Sequence, residues 1–359
     1  MAMPKRCLIL AGGKGTRLYP LTHAIPKPLL PLVNRPFLEH VLDRLSAQGI
    51  QEVILATAHM AEALAERLGD GRRFGLALEY LVEETPLDSG GAIKHAESHL
   101  AGEPFFVLNG DILTELDLAA MAEFHEQCGA AVTISLARVE DPSAYGVVEL
   151  EDRRVVRFVE KPPPEAVRSH FVNAGTWLFD PGMVERMPRG RPFSIEREFF
   201  PDLLRDEVPM YGYLEPGYWL DIGTVSKYLQ AHRDILLGKL SLELPGDPAA
   251  AGVRAGAGTR IAAGVHLEPP VLLGRHVSIA TGATLLAGTC VGDDVTVEEG
   301  ALIEASVLWA GVRVGARAQL RRCVVGNGRQ IPPDAILTDQ VVEDAPGGGA
   351  GEGDDSRRG

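Results

Sequence analysis

Residues 8–28 gather the side chains best suited to hold a polyphosphate. An apolar run, Cys7-Leu8-Ile9-Leu10-Ala11, empties into Gly12-Gly13-Lys14-Gly15-Thr16, and two cations follow, Arg17 and Lys27. Glycines let backbone amides converge on an anion that a side chain would otherwise block. Arg17 offers a planar fork for phosphate oxygens, and Lys27, held between Pro26 and Pro28, offers a point charge on a stiffened segment. Two better-known glycine motifs fail here. The dinucleotide fingerprint needs a small residue where Leu18 stands, and the Walker loop needs Gly-Lys-Ser/Thr where Thr16-Arg17-Leu18 stands.

Two acids in apolar surroundings supply hard oxygen ligands. Asp111 follows the strand-like run Phe105-Phe106-Val107-Leu108, and Asp221 sits in Tyr218-Trp219-Leu220-Asp221-Ile222-Gly223. Magnesium is commonly held by one or two carboxylates together with substrate phosphates. By type alone an acid at a strand end is more often a helix cap or turn residue than a metal ligand. Glu160-Lys161-Pro162 repeats the pattern of a lysine fixed before proline, and by itself reads as a charged turn.

Alternating strand-like and amphipathic segments must position these groups. Runs at 52–56, 76–82, 105–108 and 131–136 read as strands, which is a parallel α/β pattern. The first helix is expected with Asn34 as N-cap, Pro36 in its first turn, Leu38, Val41, Leu42 and Leu45 on one face, and Gly49 at its end. Ligands in such sheets lie beyond the carboxyl ends of the strands, where the Gly12–Arg17 turn and Asn109-Gly110-Asp111 both fall.

Composition bounds the function. The 359 residues are 45% hydrophobic and 23% charged, which fits a globular protein of two domains. A net charge of −14 without a basic stripe argues against a nucleic-acid surface. No apolar run approaches the ~20 residues of a membrane span, and no secretory core precedes the first strand. Cys7, Cys128, Cys290 and Cys323 show no paired spacing and read as reduced core thiols. A cytoplasmic enzyme is expected.

Gly12, Gly13, Gly15, Thr16, Arg17, Pro20, Leu21, Thr22, Pro26, Lys27 and Pro28 together resemble the signature of the sugar-phosphate nucleotidylyltransferases, and further matches run to about residue 235. The resemblance implies an α/β, Rossmann-like nucleotidyltransferase domain with a mostly parallel central sheet. It implies that a sugar 1-phosphate attacks the α-phosphorus of a nucleoside triphosphate and releases pyrophosphate. Arg17 would hold the leaving pyrophosphate, Lys27 would stabilise charge at the α-phosphate, Lys161 would steer the attacking phosphate, and Mg²⁺ would sit on Asp111 and Asp221. The nucleotide side would comprise Leu10, Ala11, Gly12, Gly13, Gly15, Thr16, Glu84, Pro86, Asp88, Ser89, Gly90, Asn109 and Gly110. The sugar-phosphate side would comprise Tyr145, Gly146, Glu160, Lys161, Asn173 and Gly175. Asn109-Gly110-Asp111, residues 194–201 and residues 219–224 look most like mannose-1-phosphate guanylyltransferases. The loop Pro86-Leu87-Asp88-Ser89-Gly90-Gly91 departs from them, with Asp88 at a glycine position. Bacterial uridylyltransferases also place an acid there. GTP ranks first, UTP second, with ATP and dTTP open.

The last third repeats. Ile261, Leu267, Leu273, Ile279, Leu285, Val291, Val297 and Ile303 fall six apart, and after an insertion expected near Trp309 the spacing resumes at Val314 and Leu320. Period six fits hexapeptide coils of a left-handed parallel β-helix and no amphipathic helix or hairpin. The expected plan is a catalytic domain over 1–240, a linker over 241–258, a β-helix over 259–340 and a disordered tail over 341–359. Related enzymes assemble through such a solenoid, so a homo-oligomer is expected. The alternatives are an acyltransferase solenoid using His266 or His276, and a catalytically silent regulatory subunit, against which stands the retention of Arg17, Lys27, Asp111, Lys161 and Asp221.

Overall fold

The computed structural model describes residues 3–343 apart from Ala24, His59 and Glu215. The chain divides into two compact units: the described residues of Met1–Lys14, Pro26–Leu29 and Pro36–Ile222 form one, and those of Gly15–Ile25, Leu30–Arg35 and Gly223–Gly359 form the other.

The first unit is built on a nine-stranded sheet. Its strands are β1 (Arg6–Leu10), β2 (Glu52–Thr57), β3 (Ala77–Val82), β4 (Phe105–Asn109), β6 (Val132–Arg138), β7 (Gly146–Glu151), β8 (Arg154–Glu160), β9 (Phe171–Phe179) and β10 (Met210–Leu214), while β5 (Ile112–Thr114) and β11 (Trp219–Asp221) form a separate antiparallel pair. The order is β3-β2-β1-β4-β9-β6-β10-β8-β7. The first four strands are parallel, β9 enters antiparallel to β4 and β6, and β10 returns parallel to β6. Strand β1 is apolar throughout its middle because both of its faces are covered. Leu8 packs with Phe105, Val107, Ala92 and Ile93, whereas Cys7 and Ile9 pack with Leu38, Leu42, Leu64 and Met121. The order reverses at β1, with β2 on one side and β4 on the other, which is where a doubly wound sheet opens a crevice.

The first helix spans Phe37–Ala47 and ends before Gly49, whose φ of +92° suits glycine. Its N-cap is Pro36, with no side-chain cap. Asn34 therefore does not cap it. Its backbone is left-handed, at φ +68°, and its amide bonds to residues of the second unit, to which Asn34 itself belongs.

The second unit contains a parallel β-helix with three sheets of seven, five and five strands. Early coils take 18 residues, three six-residue periods each: Leu273 pairs with Val291, Ile279 with Val297, and Leu285 with Ile303. All six are at most 2% exposed and fill the interior. The insertion expected near Trp309 is instead a one-residue shortening, since Val291 pairs with Leu308 and Val297 with Val314, 17 residues on. The tightened corner places Ala305, Arg322 and Asp339 at positive φ. The stretch expected as a linker holds two strands, Asp247–Ala250 and Val253–Ala255, and the second joins the parallel ladder through Val271–Leu273. The last strand is Val341–Val342, and the remainder of the expected tail lies outside the described residues. Only one of the three sheets has an apolar outer row: Leu272, Cys290, Val307 and Val324 are at most 2% exposed, although they point away from the interior cluster. Cys7, Cys290 and Cys323 are buried and all four cysteines are free.

Candidate active site

Strand register creates the cleft. Leu10, the last residue of β1, pairs with Asn109, the last of β4, and Gly110 N donates to Leu10 O at 3.0 Å. The glycine turn and the Asn-Gly-Asp turn thus leave the sheet side by side. A β-carbon on Gly110 would stand 2.7 Å from Leu10 O, so this close backbone approach requires glycine. Gly12 and Gly13 differ. A β-carbon at Gly13 would meet nothing within 4 Å, and at Gly12 only ordinary contacts at 3.6 Å. Among the described residues nothing fills the space beside Gly13. It belongs to a cleft of about 510 Å³ lined by Leu10, Gly12, Gly13, Lys14, Glu83, Pro86, Asp88, Ser89, Ala92 and Asn109. Ala11 is buried behind the turn.

Helix Asp88–His95 forms the opposite wall. Asp88 has φ +59°, and its Oδ1 accepts from Ser89 N at 2.7 Å. Glycine adopts this left-handed backbone freely and an acid at some cost. Gly90 touches Phe193, whose Cε2 would lie 2.2 Å from an added β-carbon. Ser89 Oγ donates to Glu196 Oε2 at 2.7 Å and accepts from Ile195 N at 3.0 Å. Burial pushes the Glu196 carboxyl above its ordinary value. Glu84 is exposed and does not line the cleft; its neighbour Glu83 does, at 7% exposure. Glu83 accepts from Leu87 N at 2.9 Å, and burial raises its carboxyl too.

The charged centre lies at the end of β4. Lys27, on the short turn Lys27–Leu29, meets Asp111 with Nζ–Oδ2 of 2.5 Å, their side chains 11% and 27% exposed. Asp221 ends β11 opposite Ile112, the residue after Asp111, and Ile222 N donates to Asp111 O at 3.0 Å. Asp221 therefore ends one strand of this ladder and Asp111 lies immediately before the other. Among the described residues no group of three or more His, Cys, Asp or Glu is placed to hold a metal. Two carboxylate donors fit a hard divalent ion completed by phosphate oxygens, and not a closed protein cage.

Among the residues expected to face the sugar phosphate, Tyr145 meets Trp219 edge to face with ring centres 5.5 Å apart, and Lys161 N donates to Tyr145 O at 2.9 Å. Lys161 Nζ lies 3.5 Å from Glu160 Oε1, and its side chain is 56% exposed. Gly146 is pinned by Phe158 and Glu160, which would stand 2.6 and 2.9 Å from a β-carbon. Asn173 Oδ1 accepts from Gly175 N at 3.0 Å and Trp177 Nε1 at 2.8 Å, so its carbonyl shapes the strand irregularity between Asn173 and Trp177. Gly175, at φ +78°, lies against Asn109.

Gly15, Thr16 and Arg17 fall in the second unit. Gly15 is left-handed at φ 62°, Leu18 N donates to its carbonyl at 2.9 Å, as does Thr22 Oγ1 at 2.9 Å, and Arg17 is exposed on the turn Thr16–Leu18. Sequence reasoning passed over Glu83, Phe193 and Glu196 as site residues. Glu196 had a signal in the quoted 194–201 stretch, but nothing distinguishes Glu83 from Glu84 before the strand is placed.

A sheet-edge crevice with an open glycine turn, a lysine–aspartate pair and a second aspartate defines a nucleotide-transferring α/β protein. The chain belongs to the nucleotidyl transferase family, whose model matches residues 6–237, and residues 260–347 match the GlmU-like C-terminal hexapeptide model. A mannose-1-phosphate guanylyltransferase of Mycobacterium tuberculosis is 40% identical over 320 residues, covering 88% of this chain and 82% of that protein. A UTP–glucose-1-phosphate uridylyltransferase of Synechocystis is 32% identical over 95% of this chain and 94% of its own length. Among solved structures, HddC of Yersinia pseudotuberculosis complexed with GMP-PN superposes with a TM-score of 0.55 at 30% identity, covering 63% of this chain and 97% of that one. Nucleoside triphosphate and sugar phosphate substrates fit the family, whose members generally use a divalent metal. No helix among the described residues is long and apolar enough to cross a membrane.

Proposed function

We propose that this chain is a sugar-1-phosphate nucleotidylyltransferase that joins GTP and mannose 1-phosphate, or a related hexose or cyclitol phosphate, to form the NDP-sugar and pyrophosphate. The observation that carries the reading is the Leu10–Asn109 register, which sets the open Gly12-Gly13 turn beside the Lys27–Asp111 pair and Asp221. A sugar-phosphate oxygen attacks the α-phosphorus in line, the bond to the β-phosphate oxygen breaks, and no covalent enzyme intermediate is required. Catalysis of this kind rests on positioning and charge neutralisation. Lys27 stabilises charge at the α-phosphate, Arg17 takes the departing pyrophosphate and Lys161 orients the attacking phosphate. Glu160 and the Asn173 amide face the sugar hydroxyls. Asp111 and Asp221 would hold the divalent metal, Mg²⁺, which when bound would supply further charge neutralisation.

Asp88 supports a second reading, UTP with glucose 1-phosphate, because an exposed acid stands at the mouth of the base-side cleft. Pyrophosphate release over four nucleoside triphosphates and a panel of hexose 1-phosphates separates the readings. The highest kcat/KM with GTP and mannose 1-phosphate supports the first, the highest with UTP and glucose 1-phosphate replaces it by the second, and no release with any pair refutes both. A homo-oligomer formed through the β-helix accompanies the proposal. It is supported by Ile261, a member of the interior series that is 42% exposed on an early coil, and is checked by light scattering.

A further inference from the structure

Among the described residues that line the cleft, only Asp88 is a non-glycine residue with a left-handed backbone, at φ +59°. Such a residue stays in that region when its surroundings over-determine it. Here the surroundings are the stretch 193–196, which lies in the same compact unit. On one side of Asp88, Leu87 N donates to Glu83 Oε2 at 2.9 Å and Leu87 O accepts from Phe193 N at 3.1 Å. On the other side, Ser89 Oγ donates to Glu196 Oε2 at 2.7 Å and accepts from Ile195 N at 3.0 Å, and Gly90 N donates to Phe193 O at 3.0 Å. Glu196 is itself held. Ser194 Oγ donates to the same carboxylate oxygen at 3.0 Å, and it caps the π-helical turn Ile195–Phe199 by accepting from Arg197 N. Widened turns of this kind are rare and recur at functional sites. Burial raises the Glu196 carboxyl and the Ser89 bond opposes the rise, so little water stands ready to replace that bond.

We infer that Glu196 is a positioning residue for nucleotide selection: with Ser89 it holds Asp88 in its left-handed conformation, so that the exposed Asp88 carboxylate stands at the mouth of the cleft and discriminates between nucleobases. The inference rests on the nucleotide-binding role proposed above for this cleft. An ionised carboxylate only accepts hydrogen bonds, so it rewards a base edge that presents N–H groups and disfavours one that presents carbonyl oxygens. That discrimination needs a fixed acceptor. Cutting the clamp frees Asp88 to leave the left-handed region, and the preference among bases then levels.

The test uses the full chain with Ser89→Ala and Glu196→Ala, which cut the clamp from either end, and Ser89→Thr, which keeps the hydroxyl. GTP and UTP are compared in the pyrophosphate assay. In both cut variants the ratio of kcat/KM for the preferred over the other nucleotide should fall by ~5-fold or more, as expected when a lost hydrogen bond leaves its partner unpaired, while KM for the sugar 1-phosphate stays within ~2-fold. Ser89→Thr should keep the parental ratio within ~2-fold. In an Asp88→Gly background the same cuts should change the ratio by less than ~2-fold, because glycine holds the left-handed backbone unaided and residues acting through one group are not additive. Ser89→Ala, which removes a single oxygen atom, decides the question where Glu196→Ala proves unstable. Equal losses toward both nucleotides, a defect in Ser89→Thr as large as in Ser89→Ala, full additivity with Asp88→Gly, or a parent that does not distinguish GTP from UTP would overturn the inference. If the unsubstituted protein releases no pyrophosphate with any substrate pair, the proposed function fails. Calorimetric binding of GTP and UTP to the same variants then decides the inference, and either an unchanged preference in Ser89→Ala or no nucleotide binding by the parent overturns it.

Discussion

Asp88 holds a backbone conformation that suits glycine better than an acid. Its φ of +59° is the value a glycine supplies freely, and the carboxylate compensates in part by accepting from Ser89 N. In the proposed mechanism Asp111 and Asp221 act by charge, so removing charge at constant shape isolates their role. Asp111→Asn and Asp221→Asn should each reduce kcat by at least ~10²-fold in the pyrophosphate assay, because electrostatic stabilisation is the principal catalytic term for this chemistry. Near wild-type turnover in both would remove them from the metal site. Glu83 makes a different prediction. Burial raises its folded-state pKa above that of the unfolded chain, with Asp88 adding to the rise and the Leu87 amide and His95 opposing it. The protonated form is therefore favoured by folding, and stability falls as pH rises from the usual glutamate range through the raised value. Glu83→Gln keeps an acceptor for Leu87 N and cannot ionise. Urea midpoints of variant and parent should converge near pH ~4 and separate at pH ~8, with the variant more stable. A parent that is the more stable at pH ~8 would contradict this sign.

At the scale of elements, glycines on the two walls of the cleft serve different ends. Gly90 is held by packing, since a β-carbon there would lie 2.2 Å from Phe193, whereas Gly13 faces open space. Gly90→Ala should therefore destabilise the fold by ~1–3 kcal/mol, the usual range for overpacking. Gly13→Ala should leave the melting temperature unchanged and raise KM for the triphosphate. Thermal melts and steady-state kinetics on both variants check the pair, and a stable, fully active Gly13→Ala would show that no ligand approaches that backbone. The glycine turn, β1, β4 and both aspartates were legible because each is a local pattern of a few residues. Their convergence was not, because the Leu10–Asn109 register joins positions almost one hundred residues apart. Asn34 misled for a related reason: its type and place suit an N-cap, but its amide is taken by Cys290 and Val291. Glu84 and Glu83 are alike in sequence, and only the end of β3 decides which one turns inward. The period of six was plain in the solenoid, yet a corner shortened by one residue looks like an insertion when only Trp309 is seen out of phase.

At the scale of the whole molecule, domain boundaries read along the chain differ from those made by contacts. Every proposed catalytic residue precedes residue 240, which suggests that a catalytic domain could work alone, but Gly15–Ile25, Leu30–Arg35 and helix Val225–Leu236 cluster with the β-helix. Ending the chain at Gly246 would remove Val291, Cys290 and Trp309, depriving Asn34 of its bonds to Val291 and Cys290 and Tyr228 of its donor. Tyr228 and Ile235 would also lose the surroundings that leave them at most 2% exposed. The truncated chain should thus lose more than ~10-fold in kcat/KM for the triphosphate, the scale expected when several buried polar groups lose partners, and should change oligomeric mass. Exposed apolar surface also promotes aggregation, so light scattering must accompany the pyrophosphate assay. A monodisperse truncated protein with parental kinetics and parental oligomeric mass would show that the solenoid neither supports activity nor assembles the protein. Parental kinetics with a lower mass would confine its role to assembly.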